Sequence, residues 1–413
     1  MLCPFRPTKT VPLLMINVHE KFLFCFFCFI FLQLNAKEVL GTNIICENPT
    51  DSLSYIVVNE FLASNADNIE DSLFTENSDW IELYNTGNTC CDVSNCYLSD
   101  DLDNPFKWQI PAETHIPENG FLLFWADGMD TLLHTNFKLT KAGEEIGLFS
   151  SEGILIDSII YTTQKTDVSQ GRLLSNTDEW YYYDSPTPNT FNETTAYEQI
   201  TYSKPYFSEV GGLYNETLMV ELSNETGAIY YTLDGSEPNE NSPLYEAPFW
   251  IEETTIIRAR IIEANNLEGP IITHSYFLNE DFENRDLPFV SIVTDSLYFW
   301  DADTGLYMQD FKPEWEYPLN IELFENDGSD RAAFNLEAGV KLNGTSSWKL
   351  PQKMLGIYFR RRYGEKNLEY PLFFDRKRQK YDAFSLRCSG SDWSHSLFRD
   401  GLGQNLAKEN MDL

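Results

Sequence analysis

Basic residues are scarce in this chain of 413 residues. Lys and Arg together number 29 against 64 Asp and Glu, which gives a formal net charge of -35. Proteins that bind nucleic acid along its phosphates need clustered positive charge, so this composition argues against nucleic acid as a partner. The exception is the stretch 331–380, which holds twelve Lys and Arg against four Asp and Glu. Such an island in an acidic chain favours an anionic ligand.

Long apolar runs are absent after residue 34. The one uncharged run, Phe22 to Leu34, follows Lys21 and is thirteen residues long, with the small residue Ala36 just beyond it. It is too short for a membrane helix and has the length typical of a signal peptide core. We therefore predict a signal peptide over residues 1–36 and a secreted or cell-surface, extracytoplasmic location. Leu34 suits a cleavage site poorly, so an uncleaved membrane anchor is the alternative.

Cysteine is sparse. Three of the eight cysteines lie in this leader, and only five lie in the rest of the chain. An exported protein folds in an oxidising space, which favours disulfides. We predict that Cys90 or Cys91 pairs with Cys96 and that the other pairs with Cys46, so the pairing stays open. A metal site in CCDVSNC would need a fourth ligand that the sequence does not supply. Cys388 lies in a predicted strand and is expected to be a buried thiol.

Short strands rather than helices dominate from residue 55 onward. The length and an aromatic content of 15% are enough for several domain cores. Short apolar runs bounded by Gly, Asn, Asp or Ser predict an antiparallel sandwich. They are YIVVNEFLA, DWIELYNTG, FLLFWADG, EIGLFSSEG and LIDSIIYTT. The fold class expected for the whole chain is mainly β and multidomain.

The same segment carries several motifs in a fixed order. They are VVNEFLASN at 57–65, WIELYNTG at 80–87, LSDDLDNPFKW at 98–108, IPENGFLLFWAD at 116–127, GR at 171–172 and TPNTFN at 187–192. Together they resemble the lamin tail domain family, an immunoglobulin-like sandwich, over residues 50–192. We assign this module no catalysis.

Two side-chain clusters in this module have both a ligand-binding and a structural interpretation. Three tryptophans that could form a sugar-stacking platform alternate with polar residues on strands, so we predict that they pack in the core. They are Trp80, Trp108 and Trp125. Three acids that could hold calcium lie in a turn, where Asp side chains usually accept from nearby backbone amides. They are Asp100, Asp101 and Asp103.

A second β module is predicted at residues 205–278, after a linker rich in Pro, Thr and Asn. IYYTL and TIIRARI have strand periodicity, and LDGSEPN between them has turn residues. YYTLDGSEP at 230–238 and TTIIRARI at 254–261 are similar to the C-terminal β-sandwich of chitobiases and related hexosaminidases. The resemblance implies an accessory module, since no paired carboxylates of the kind that cleaves glycosides are evident.

Four sequons would be used only in a host that glycosylates its exported proteins. They lie at Asn192, Asn215, Asn224 and Asn343.

The region 286–413 is predicted to form successive strands of one antiparallel sheet, followed by a helix over residues 395–408. Its motifs occur in the order VSIVTD, DADTGLY, WEYPLNIELFENDG, EAGVKLNGTSS, PQK, YFRRRYG, LEYPLF, SLRCSGSDW and FRDGLGQNLA. This order resembles the CotH family, the spore-coat-type protein kinases. The fold that it implies is α+β, a partial kinase-like amino-terminal lobe.

The CotH resemblance implies ATP-dependent phosphorylation of a secreted or surface protein, with Mg or Mn as the metal. Phosphoryl transfer needs metal-holding acids and a base as well as donors for the phosphates. The resemblance covers only the amino-terminal part of the family's domain, so these acids are expected beyond Leu413. We assign no catalytic residue and expect the chain as given to be inactive.

Three basic side chains are candidate contacts for nucleotide phosphates. Lys353, which precedes the predicted strand MLGIYF, is the first, and Lys349 and Arg387 follow. The alternative is that they are surface charges guarding an exposed sheet. Asp392 is a weaker candidate for a metal contact, and helix-entry capping is its simpler explanation.

One departure from the CotH pattern bears on this site. Family members commonly carry an arginine after the GxSS motif, and Trp348 stands there in this chain, after Gly344, Ser346 and Ser347. One expected cation is therefore missing, and no glycine-rich phosphate loop replaces it. The three side chains of the triplet Arg360 to Arg362 are not expected to contact one ligand, because consecutive residues of a strand point to opposite faces of the sheet.

A non-enzymatic surface protein for adhesion or scaffolding is the second functional hypothesis. In that case the β modules are the functional parts, and cell-surface glycan is the partner to consider alongside protein.

Overall fold

The computed structural model describes residues 52–173, 176–280, 287–308, 314–344, 347–372 and 377–388. The fold is mainly β and consists of several sheets, as predicted. In these ranges the helices are α1 (Ser296–Trp300) and two 3-10 turns, Ser52–Tyr55 and Ser347–Lys349. None of the described helices is long and apolar enough to cross a membrane. The predicted signal peptide, Cys46, the helix over 395–408 and Asp392 lie outside the described residues.

The first module is a sandwich of two antiparallel sheets. Its strands are β1 (Ile56–Leu62), β2 (Trp80–Asn85), β3 (Cys91–Asp92), β4 (Tyr97–Ser99), β5 (Trp108–Gln109), β6 (His115–Ile116), β7 (Phe121–Trp125), β8 (Glu144–Phe149), β9 (Leu155–Tyr161), β10 (Ser169–Leu173) and β11 (Asn176–Tyr183). One sheet has the order β11-β10-β1-β2-β7, the other has the order β5-β4-β8-β9, and β3 pairs with β6.

The core of the first module lies between these sheets and includes side chains of β1, β2, β4 and β8. Trp80 and Trp108 are buried, which confirms the core prediction for both, and Trp125 is half-buried. In the Asp-rich turn, Asp101 accepts a 3.0 Å hydrogen bond from the amide of Asp103. Asp100 forms an ion pair with Lys107. Asp101 therefore accepts from a local backbone amide, as predicted, whereas Asp100 pairs with a lysine side chain.

The TPNTFN segment at 187–192 is fixed to the first module by buried carboxylates. Glu60 accepts from Thr187, whose amide nitrogen lies 3.2 Å away, and Glu82 accepts from the amide of Asn189. Asn192 is buried and donates its Nδ2 to the Arg172 carbonyl at 2.8 Å. These hydrogen bonds join a segment more than a hundred residues away in sequence to the central strands.

The second module is built on a four-stranded sheet of order β14-β21-β19-β17 and smaller strand pairs. Its strands, with the linker strand first, are β12 (Gln199–Ile200), β13 (Tyr206–Phe207), β14 (Gly212–Tyr214), β15 (Leu218–Val220), β16 (Leu222–Ser223), β17 (Ala228–Thr232), β18 (Phe249–Ile251), β19 (Thr255–Ile262), β20 (Asn266–Leu267) and β21 (Ile272–Leu278). Alternate residues of β19, Ile257, Ala259 and Ile261, are fully buried in its core.

The C-terminal region forms a five-stranded antiparallel sheet of order β22-β23-β24-β25-β28. The strands of the region are β22 (Phe289–Val293), β23 (Tyr317–Phe324), β24 (Phe334–Leu342), β25 (Leu355–Tyr358), β26 (Leu368–Glu369), β27 (Lys380–Tyr381) and β28 (Ala383–Leu386). Strands β26 and β27 pair with each other outside the five-stranded sheet. The predicted strand MLGIYFRRRYG ends early, at Tyr358, and the three arginines lie beyond it.

Polar contacts join this sheet to both preceding modules. The buried Glu322 of β23 accepts from the amide of Ser275 at 3.1 Å, and Asn335 donates to the Thr273 carbonyl at 2.8 Å. Arg362 forms an ion pair with Asp67 of the first module. The described modules therefore pack against one another through specific side chains.

Candidate functional site

Lys353, the first predicted phosphate contact, lies two residues before β25 and is half-buried. Its ammonium donates to the Trp348 carbonyl and lies 5.3 Å from the centroid of the Tyr307 ring. Burial lowers the pKa of Lys353 from its ordinary value. In the described part of the chain it forms no ion pair with a carboxylate. The side chain is therefore a positioned cation held by neutral groups.

Lys349 and Trp348 lie in the 3-10 turn immediately before Lys353. The Lys349 side chain is exposed, and its ammonium lies 5.0 Å from the centroid of the Trp348 ring. Trp348 itself packs against the core of the C-terminal sheet. The residue that replaces the expected arginine thus contributes its ring to packing and its carbonyl to Lys353.

Arg387 lies at the same end of the sheet as Lys353. Strand β25 pairs with β28 in antiparallel register, with Leu355 opposite Leu386. Continuing that register by two residues places position 353 opposite 388, next to Arg387. The hydroxyl of Tyr307 lies near both positions. Its pKa is raised chiefly by burial, lowered by a hydrogen bond from the backbone of Lys353 and raised by the charge of Cys388. Position 387 itself is opposite 354, so the Arg387 side chain points to the other face of the sheet from the Lys353 side chain. The structure therefore places Lys349 and Lys353 near each other in the chain before β25, but it does not bring Arg387 together with Lys353 on one face.

The arginine triplet has a structural role instead. Arg360 and Arg362 both contact Glu316, with nitrogen to oxygen distances of 2.6 and 3.0 Å, and Lys341 lies 3.4 Å from the same carboxylate. The prediction that the triplet serves no single ligand rested on alternation along a strand. That reason was wrong, because the residues lie past the end of β25 and two of them converge on one acid. Three of the twelve Lys and Arg in the stretch 331–380 therefore share one carboxylate partner within the fold.

The cysteines differ from the predicted pairing. Cys90 is disulfide-bonded, whereas Cys91, Cys96 and Cys388 are buried thiols. The predicted bridge to Cys96 is therefore wrong. Cys91 and Cys96 are both packed in the apolar core of the first module, and burial raises the pKa of Cys96 to about 11. The prediction of a buried thiol at Cys388 is confirmed.

Sequence reasoning missed a buried cluster of Asp71, Asp127 and His134 in the first module. One ligand atom from each residue lies within 4.8 Å of the others. His134 follows β7 by nine residues, while Asp71 lies in the turn between β1 and β2. The signal available in the sequence was the ADG turn followed by LHTNF, which has one of only five histidines.

Comparison with known families agrees with part of this description. The Lamin Tail Domain model matches residues 49–163, which confirms the resemblance over that part of the first module, while its extension to residue 192 stays a prediction. The Fn3 associated model matches residues 218–276, within the second module. No curated protein matches the chain. Neither match extends into the C-terminal sheet, so its resemblance to the CotH family stays a prediction, as does the chitobiase resemblance.

Proposed function

We propose that this chain is an exported protein of the CotH-type protein kinase class, and that its C-terminal sheet binds nucleotide phosphate through Lys353. The observation that supports the proposal is the half-buried ammonium of Lys353, whose described partners are the Trp348 carbonyl and the Tyr307 ring. A positioned lysine with neutral partners can exchange the Trp348 carbonyl for a phosphate oxygen, because both are acceptors for the same ammonium.

Binding and turnover are separate parts of this proposal. A positioned lysine can contact the phosphates of ATP, with Mg or Mn accompanying them, but transfer also needs metal-holding acids and a base. We assign neither to the described residues, and so the chain as given is proposed to bind nucleotide without phosphorylating a substrate. The substrate class that we propose for a kinase of this type is secreted or surface proteins.

Nucleotide-dependent thermal stabilisation tests the binding part. At a ligand concentration one hundred times its Kd, a single site stabilises the folded state by about 2.7 kcal/mol. We expect ATP with Mg to raise the melting temperature of the parent and to have no effect on Lys353→Ala. Lys366→Ala is the matched control, since Lys366 is exposed and lies between β25 and β26. If ATP with Mg does not raise the melting temperature of the parent, or raises that of Lys353→Ala equally, the proposed site at Lys353 is wrong.

Adhesion or scaffolding is the second candidate, and a surface feature of the second module favours it. Trp250 of β18 is 62% exposed, and its cross-strand partner Met219 of β15 is 51% exposed. An exposed aromatic beside an apolar neighbour is suited to stacking on a sugar or to packing against a partner. Loss of glycan or cell-surface binding in Trp250→Ala, with binding retained in Tyr206→Ala, would support this function.

A further inference from the structure

His134 lies between two carboxylates in the interior of the first module. Its Nδ1 is 2.7 Å from Asp127 Oδ2, and its Nε2 is 3.9 Å from Asp71 Oδ2. The side chains of all three residues are less than a tenth exposed, at 4% for His134 and Asp71 and 8% for Asp127. The cluster is therefore nearly shielded from water.

The hydrogen bond to Asp127 determines which ring atom of His134 remains available. A carboxylate oxygen 2.7 Å from Nδ1 requires a proton on that nitrogen. In the neutral imidazole, Nε2 then presents a lone pair to the carboxylate of Asp71. A separation of 3.9 Å is too long for a hydrogen bond, and Nε2 has no other hydrogen-bond partner among the described residues. Two electron-pair donors that face each other in a buried site are suited to sharing a cation.

Each donor is held in place by its own loop. The two oxygens of Asp71 accept from the amides of Leu73 and Phe74 at 2.9 and 3.1 Å, and Asp127 Oδ1 accepts from the amide of Met129 at 3.0 Å. The Phe74 ring meets the imidazole edge-on, with centroids 5.0 Å apart. The geometry of the donors is thus preorganised by backbone contacts and packing.

We propose that His134 Nε2 and Asp71 Oδ2 bind a divalent transition-metal ion of the Zn²⁺ type. Asp127 is a positioning residue, because a carboxylate on the far nitrogen fixes the tautomer and orientation of a metal-binding imidazole. The nitrogen donor distinguishes the site from the all-oxygen sets that Ca²⁺ and Mg²⁺ prefer. Only two protein ligands are assigned, so the affinity is lower than that of a four-ligand structural zinc site. The ion would join the turn at 71–76 to the loop after β7.

Metal titration of the untagged, chelator-treated protein tests this proposal. We expect one equivalent of Zn²⁺ to bind the parent and to raise its melting temperature, and at least a tenfold weaker interaction in Asp71→Asn and His134→Gln. His115→Gln is the matched control, because His115 Nε2 also lies 3.9 Å from a carboxylate, that of Asp92, but both side chains are more than a quarter exposed. Unchanged Zn²⁺ affinity in Asp71→Asn would overturn the proposal, as would equal binding of Ca²⁺.

A spectroscopic readout separates this site from the thiols. Co²⁺ in a site of nitrogen and oxygen donors gives visible d–d bands without the near-ultraviolet charge-transfer band of a thiolate ligand. We expect that pattern in the parent and its loss in Asp71→Asn, which keeps the side-chain shape and serves as the test should His134→Gln fail to fold. A thiolate band that persists in Asp71→Asn would place the metal on cysteine and contradict the assignment. Asp127→Asn should weaken binding by about 10–100-fold.

Discussion

Glu60 and Glu82 lie directly opposite each other on β1 and β2, and both are completely buried. Burial raises the pKa of both carboxyls, and that of Glu82 reaches about 8, with the charge of Glu60 adding to the rise. Their hydrogen bonds with Thr187 and Asn189 offset only part of this effect. The central sheet of the first module therefore contains a carboxyl that stays protonated in the folded state near neutral pH.

The first prediction is that the first module loses stability as pH rises from about 5 to about 8. In this window the unfolded chain releases the Glu82 proton while the folded chain keeps it, so the unfolded state binds fewer protons and the free energy of unfolding falls. We expect a loss on the order of 1–3 kcal/mol. Urea denaturation at several pH values measures it.

Glu82→Gln isolates the contribution of this carboxyl, because the amide resembles the protonated acid. The variant should match the parent near pH 5 and exceed it in stability near pH 8, whereas Glu118→Gln, at an exposed position, should follow the parent throughout. Parallel pH profiles for Glu82→Gln and the parent would contradict the account.

The second prediction concerns Glu316, which gathers Arg360, Arg362 and Lys341. Burial acts to raise the pKa of Glu316, but the hydrogen bond and charge of Arg360 and the charges of Arg362 and Lys341 hold it below its usual value. Glu316→Gln should destabilise the protein by about 1–3 kcal/mol near pH 7, because it removes the buried carboxylate that Arg360, Arg362 and Lys341 share. Arg362 keeps a second acid, Asp67.

The pH dependence provides the check. A depressed carboxyl pKa contributes stability above the unfolded pKa and loses it as pH falls through the folded pKa, so the stability difference between Glu316→Gln and the parent should shrink as pH falls below about 4. Arg361→Ala, at an exposed neighbour, should change stability by less than about 0.5 kcal/mol. An equal cost for the Arg361 and Glu316 variants would be evidence against the ion-pair cluster.

The third prediction distinguishes the sequons. Asn192 is buried and its Nδ2 donates to the Arg172 carbonyl, whereas Asn215 is exposed. Asn224 is half-buried, and its Nδ2 donates to the Gly227 carbonyl at 2.9 Å. In a glycosylating secretory host, glycopeptide mass spectrometry should find glycan at Asn215 and none at Asn192 of the folded product. Glycan at Asn192 in stable, secreted protein would show that the TPNTFN segment is not bound as described.

The fourth prediction concerns thiol reactivity. At pH 8 a thiol whose pKa is about 11 is roughly one part in a thousand thiolate. We expect Cys96 to resist iodoacetamide in the native protein and to react after denaturation, together with the buried Cys388. A peptide containing a Cys91–Cys96 disulfide in the unreduced protein would contradict this assignment.

The sequence predicted the strands of the first module well, because apolar residues at alternate positions lie on one face of a strand, and that face packs in the core. It also predicted local turn chemistry, as at Asp101 and Asp103. It could not predict contacts made by residues far apart in the chain. Glu82 meets Asn189, and Asp71 meets His134, only because the sheets bring their loops together. The end of β25 was missed for a related reason, since Glu316 draws the arginines into the turn.

The most direct test of the account is chemical labelling with an ATP acyl phosphate, which acylates lysines beside the bound phosphates. We predict that Lys353 is labelled, that excess ATP with Mg prevents the labelling, and that Lys366 is not protected. Absence of label at Lys353, or labelling that ATP does not reduce, would contradict a nucleotide site on the C-terminal sheet.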